Sequence, residues 1–126
     1  MTLHVLAIDD SRTIRSLLRH AMEAAGFACT TAEDGEAGVE CFGSLDPDVV
    51  ITDLNMPRLD GFGVIERIRK GAHRRQVPIV VLTTESAAEL KSRAKAAGAS
   101  GWIVKPFEDA ALVTLVRRLA GIGGAQ

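Results

Sequence analysis

Val49-Val50-Ile51 is a short apolar run with nothing polar to alternate against, stopped by Thr52-Asp53. Such a run suits a strand buried on both faces of a parallel sheet. Pro57 and then Asp60-Gly61 punctuate the loop beyond it. Asp53 therefore falls at or near the C-terminal edge of a central strand, where open α/β sheets place their ligands. A carboxylate there is a candidate nucleophile or metal ligand. Unpaired burial would be costly, so it should find partners elsewhere in the chain.

The remaining sequence supplies the other layers. Leu3 to Ile8 reads as a first strand ending in Asp9-Asp10, and Ser11 reads as the N-cap of a helix. Ile14, Leu17, Leu18, Ala21, Met22 and Ala25 stripe that helix, and Gly26 closes it. Phe27 to Thr31 is a second strand, and Asp34-Gly35 turns the chain into a helix through about Phe42, weakened by Gly38. Pro47 stops that region before the Asp53 strand. Phe62, Ile65 and Ile68 carry a third helix, and Gly71 to Gln76 reads as a polar surface connection. Pro78 opens a fourth strand, Ile79 to Leu82, ending in Thr83-Thr84-Glu85. A helix over about 87–97 has Leu90 as its only large apolar residue. Trp102-Ile103-Val104 is a fifth strand ending in Lys105-Pro106, and Leu112, Leu115, Val116 and Leu119 stripe a last helix. Strands alternating with helices predict a doubly wound α/β domain, its parallel sheet covered on both faces.

Size and charge narrow the function. The 126 residues are enough for one domain with a core, so residues 1–126 are expected to form a single domain with a flexible tail at 121–126. With 15 basic and 16 acidic residues the net charge is −1, which argues against bulk nucleic-acid binding. Arg74-Arg75 and Arg117-Arg118 read as solvated surface. No apolar run approaches the roughly 20 residues that span a bilayer. The chain opens directly on strand-like sequence, so no signal peptide and a cytoplasmic location are expected. Cys29 and Cys41 lack CxxC spacing and read as small core residues. His4, His20 and His73 are scattered, with no metal-ligand spacing.

Parallel strands share one C-terminal edge. Along it the sequence sets Asp9 and Asp10, Asp53, Thr83 and Lys105. Strand ends are where polar residues normally emerge, and a lone aspartate there would mean little. Five complementary groups at four strand ends need more explanation. Crowded carboxylates raise one another's pKa, and a hard divalent cation such as Mg²⁺ relieves the repulsion. A nucleotide-binding reading fails, because no GxGxxG follows the first strand and no GxxxxGK[ST] occurs.

Asp9-Asp10, Asp53-Leu54-Asn55-Met56-Pro57 leading to Asp60-Gly61, Thr83, and Lys105-Pro106 resemble the receiver domain of two-component response regulators. The resemblance covers about residues 3 to 120, and a stand-alone chain of this kind looks most like the CheY-like chemotaxis regulators. It implies a flavodoxin-like fold, five parallel strands in order 2-1-3-4-5 with five helices. It also implies that Asp53 is the phosphoacceptor, taking a phosphoryl group from the phosphohistidine of a CheA-like sensor kinase. Asp10, Asp53 and the Asn55 backbone carbonyl would hold Mg²⁺, with Asp9 acting through a water. Lys105 would pair with the phosphoryl group and precede a cis proline. Thr83 would be the switch, turning its hydroxyl toward the phosphoryl oxygens so that an aromatic residue three before Lys105 can swing inward.

That residue is Trp102, where the family usually carries Tyr or Phe, and a rim indole that packs without moving is the alternative. Thr84 also departs, since Ala, Ser or Gly is usual there. Asn55 and Glu85 match the two positions that tune how fast water removes the phosphoryl group. The expected protein is no enzyme in the ordinary sense but a phosphorylated signalling module, monomeric, binding neither nucleic acid nor membrane. Its partners would be the kinase, the flagellar motor switch and a phosphatase. The binding face would be the 87–97 helix, the Trp102 strand and the 112–119 helix. A phosphorelay intermediate or phosphate sink is the alternative. A dehalogenase-type phosphohydrolase is disfavoured, because Asn55 stands where its second aspartate would be.

Overall fold

The computed structural model describes residues 2–71 and 76–121. Its elements are β1 (His4–Ile8), α1 (Arg12–Ala24), β2 (Ala28–Ala32), α2 (Gly35–Leu45) and β3 (Val49–Thr52), followed by α3 (Gly61–Lys70), β4 (Ile79–Thr83), α4 (Ala88–Ala97), β5 (Gly101–Val104) and α5 (Asp109–Leu119). Every strand pairing is parallel and the order is β2-β1-β3-β4-β5. The doubly wound topology implied by the resemblance is therefore the one observed.

Burial follows from that order. β3 and β4 lie inside the sheet and every residue of both is buried. Successive side chains leave a strand on opposite faces, so the sheet divides its apolar residues between two cores. Leu6, Ile8, Val50, Ile79 and Val81 face α2 and α3 through Phe42, Phe62, Ile65 and Ile68. Val5, Ala7, Val49, Ile51, Val80 and Leu82 face α1 and α5 through Leu18, Met22, Leu112 and Val116. Each large side chain so buried contributes about 1.5–3 kcal/mol.

Several sequence expectations shift in detail. Ser11 does cap α1, accepting from the Ile14 N–H at 3.3 Å, and Gly26 takes φ +95° beyond the helix. Leu17, placed on the buried stripe by its spacing, is 50% exposed at the edge of the α1 face. Gly38 is a requirement of packing, because a Cβ there would collide with the side chain of Ile8. α2 runs on past Phe42 to Leu45, and β2 starts at Ala28 and ends at Ala32. Cys29 and Cys41 are free, half-buried thiols at the margins of the two cores and not inside them. Burial pushes the Cys29 thiol up to about 11.

Arg117 is exposed but not merely solvated: Nη2 donates to the Ala25 carbonyl at 3.0 Å, and the guanidinium lies 5.9 Å from the Phe27 ring centre. His4 meets the Thr30 hydroxyl at 2.7 Å, and His20 is exposed. The expectations for His73, Arg74-Arg75 and the tail beyond Gly121 fall outside the described residues. Among the described residues no helix is long and apolar enough to cross a membrane.

Candidate functional site

The sheet fixes its rim through backbone bonds that continue past the strands. Asp9 N–H donates to the Ala32 carbonyl at 3.1 Å, Asp53 N–H to Ile8 at 3.0 Å, and Lys105 N–H to Thr83 at 2.8 Å. Each of these side chains thus stands one residue beyond its strand on a backbone still held to the neighbouring strand. Gly61 completes the support: a Cβ there would collide with the Asp53 carbonyl, so only glycine lets α3 start this close to the strand end.

Lys105 joins the two buried acids. Its Nζ donates to Asp9 Oδ2 at 2.8 Å and to Asp53 Oδ2 at 3.1 Å, across 96 and 52 residues of sequence. Asp53 Oδ1 accepts from the Leu54 N–H at 2.7 Å, and Asp9 Oδ1 from the Ser11 N–H at 2.9 Å. The acids are 1% and 7% exposed for Asp9 and Asp53, while Asp10 stands open to solvent. Burial raises the Asp9 pKa from its ordinary value, only partly offset by Lys105 and the Ser11 amide. Lys105 is raised too: burial disfavours its charge, but the hydrogen bonds and charges of Asp9 and Asp53 outweigh that. The Lys105-Pro106 peptide is cis.

One ammonium does not balance three carboxylates. Asp9, Asp10 and Asp53 each offer an oxygen, all within 4.8 Å of one another. An all-oxygen donor set of this charge fits a hard divalent cation, Mg²⁺ or Ca²⁺, and not a soft metal.

Thr83 is fully buried at the end of β4, with its Oγ1 3.4 Å from the Glu85 amide that donates to it. Glu85, matched by its position alongside Asn55, makes contacts that the sequence did not show. Its carboxylate accepts from Asn55 Nδ2 at 3.2 Å, and its carbonyl accepts from the Trp102 indole N–H at 3.2 Å. One residue therefore links the acid-pocket loop, the β4 hydroxyl and the β5 aromatic. Trp102 is half-buried and packs against the α3-side core. Thr84 is exposed. Arg15, which nothing in the sequence singled out, donates from Nη1 to the Asp9 carbonyl at 2.9 Å. An arginine in the first turns of a helix carries no signal of such a contact.

Residues 5–117 match the response regulator receiver domain family model. A probable transcriptional regulator, ycf27, of Guillardia theta is 38% identical over 113 residues, covering 90% of this chain and 43% of that protein. The chain thus spans less than half the length of this curated relative. Among solved structures, the chemotaxis protein CheY4 of Vibrio cholerae superposes with TM-score 0.90 at 38% identity, covering 94% of this chain and 99% of that one. The receiver domain of sensor histidine kinase PA1611 from Pseudomonas aeruginosa, solved with a magnesium ion coordinated in its active-site cleft, superposes with TM-score 0.88 at 25% identity, covering 96% and 99%. Receiver domains are phosphorylated by histidine kinases and act on downstream targets. With its rim acids, its lysine bridge and its sheet order in place, this chain belongs to the response regulator receiver domain family.

Proposed function

We propose that the protein is a response regulator, phosphorylated on Asp53 by a CheA-like histidine kinase, whose phosphorylation changes its affinity for the flagellar motor switch. The observation that carries the reading is the Lys105 bridge: one ammonium held by Asp9 and Asp53 from two separate strand ends. An Asp53 oxygen would attack phosphorus as the P–N bond of the phosphohistidine breaks, its electron pair returning to the imidazole. The products are an acyl phosphate and, with one proton held or taken up by the departing ring, neutral histidine. Such a transfer depends on positioning and charge stabilisation more than on covalent help from the protein.

Asp10, Asp53 and the Asn55 carbonyl would hold Mg²⁺, with Asp9 outside them, and the ion would supply charge neutralisation for the transferred oxygens. Lys105 would exchange a carboxylate for the phosphoryl group. Asn55 and Glu85, bonded to each other, stand where they could meter water at the site. The protein is not an enzyme for an outside substrate; it acts on its own acyl phosphate. Its setting is the cytoplasm.

A phosphoryl group adds about −1.5 to −2 charges at the rim. Thr83 would turn toward it and give up its bond to the Glu85 amide. Glu85 is also the anchor of Trp102, so the change would pass to the face made by α4, β5 and α5, the proposed partner surface.

The test is labelling with a phosphorylated kinase or a small phosphodonor in Mg²⁺. A hydroxylamine-labile label is expected, and it should be absent from Asp53→Asn; a hydroxylamine-resistant label, or full labelling of that variant, refutes the reading. The alternative, a relay intermediate or phosphate sink, draws support from the likeness to a receiver domain of a sensor kinase. Phosphorylation-dependent binding of a motor-switch peptide separates the two.

A further inference from the structure

The loop after Asp53 carries Asn55 to the rim and returns as α3, and one of its residues is strained. Arg58 has φ +70°, the left-handed region that bulky residues seldom occupy. Across it the Leu59 N–H donates to the Pro57 carbonyl at 2.8 Å. A bond closing three residues around a central positive φ marks the rare, strained form of the γ-turn. Glycine would hold this backbone without steric cost, yet the chain places an arginine here.

Arginine brings what glycine lacks. Arg58 Nη1 donates to Asp34 Oδ2 at 3.1 Å. Asp34 is buried, and its other oxygen accepts from the Ala37 N–H at 2.8 Å as the cap of α2. The turn also lies directly on α2, because a Cβ at Gly35 would collide with the Leu59 carbonyl. At its base the loop is closed by the Gly61 N–H donating to the Leu54 carbonyl at 2.8 Å. The segment 54–61 is thus fastened at its base to itself and at its tip to a carboxylate 24 residues earlier.

We propose that Asp34 and Arg58 are positioning residues for the phosphoryl-transfer site: their ion pair holds the strained turn in place and so sets where the Asn55 carbonyl and side chain stand at the rim. The inference rests on the receiver reading above, since it assigns the pair's effect to the Mg²⁺ and phosphoryl geometry. Arg58 is itself exposed, so water screens its side of the pair, and Asp34 keeps its bond to the Ala37 amide when Arg58 is lost; the pair therefore adds less to global stability than a fully buried one. Its effect is local. Without the pair the strain at residue 58 is opposed only by the turn's own Leu59–Pro57 bond and its contact with α2, so the turn relaxes toward negative φ and Asn55 moves with it.

The experiment is a titration with MgCl₂ of the wild type, Asp34→Asn, Arg58→Ala, Arg58→Gly and the Asp34→Asn/Arg58→Gly double variant. It is followed by the amide resonances of Asn55 and Gly61, with hydrogen exchange read at the Leu59 amide. Asparagine caps a helix as well as aspartate does, so Asp34→Asn removes the pair and keeps α2 capped. Asp34→Asn and Arg58→Ala should each weaken Mg²⁺ binding about tenfold, the scale of outer partners of a metal site, and speed Leu59 exchange, with the thermal midpoint little changed. Arg58→Gly, free to adopt the turn, should stay near wild type, and adding Asp34→Asn to it should cost nothing further. An equal loss from Asp34→Asn in both backgrounds, or no loss in either, overturns the proposal. A wild type that binds no Mg²⁺ and takes no phosphoryl group overturns the receiver reading itself, and the proposal with it.

Discussion

α3 and α4 are neighbours of nearly equal length on one face of the sheet, and they are held in opposite ways. α3 is capped by Asp60, which accepts from the Gly63 N–H at 2.9 Å, and it buries Phe62, Val64, Ile65 and Ile68. Arg67, Arg69 and Lys70 close it with positive charge, as its dipole favours. α4 starts at Ala87 with no side-chain cap and buries only Ala94. What fastens α4 comes largely from α3. Arg69 donates to the Gly98 carbonyl from Nη2 at 2.7 Å and Nε at 3.2 Å, and the Arg93 guanidinium sits 3.9 Å from the centre of the Phe62 ring. Both ties lie in the second half of α4. Its first turn, which lies just after Thr83 and Glu85, has no side-chain cap and only the half-buried Leu90 packed against the core. Under the proposed function, the contrast teaches where a signal from the rim would act: on a helix tied at its far end and thinly held at the near one, resting on a helix that is capped and buried.

The contrast can be broken most decisively in the core. Ile65→Ala in α3 should cost about 2–5 kcal/mol, read as a fall in denaturant midpoint with unchanged slope. Leu90→Ala, the corresponding change in α4, should cost about 1 kcal/mol, since a half-buried leucine has less apolar area to lose. Equal losses would mean that α4 is anchored as firmly as α3.

Between these two comes the tie itself. Arg69→Met keeps the apolar stem and removes both bonds to the Gly98 carbonyl, which as charge-assisted bonds contribute about 1.5–3 kcal/mol. Methionine also spares the cost of the buried Nη1, which has no hydrogen-bond partner among the described residues, so the net loss should fall at the low end. Amide exchange at 94–99 should speed up while α3 keeps its protection. If α3 loosens equally, the two helices are one unit and the contrast fails.

The sequence made the sheet legible because its signals were one-dimensional. Val49 to Ile51 suits a strand buried on both faces and Ile79 to Leu82 reads as another strand, and every residue of both strands is buried. The convergence of Asp9, Asp10, Asp53 and Lys105 followed from parallel strands sharing an edge, with no need of side-chain detail. The thin anchoring of α4 was visible in Leu90 standing alone. What stayed hidden depends on long-range contacts between side chains. Asp34 read as a turn residue because its partner Arg58 lies on another loop. Glu85 was recognised by position, yet its bonds to Asn55 and Trp102 join three separate elements. Leu17 fitted a helical stripe, but periodicity does not tell the centre of a buried face from its edge.

The smallest effect bears on the loose end of α4. Ala87 already has φ −65° and ψ 134°, the extended conformation of a helix cap, but no side-chain oxygen to accept from the first turn. Ala87→Ser supplies one without moving the backbone, and a cap of this kind is worth about 0.5–2 kcal/mol. Stability should rise by the lower part of that range, because the first turn faces solvent and water already meets its amides. Exchange at the amides of 88–91 should slow while α3 is unaffected, making the two helices more alike. Under the proposed function the added order has a cost, since phosphorylation must then shift a helix held at both ends. The change in Trp102 emission on phosphorylation, which reports Glu85 through the indole bond, should shrink relative to wild type with Asp53 labelling intact. A full-sized change in a variant whose first turn is demonstrably slower to exchange would place the moving part in β5 and its loop, and leave α4 a passenger.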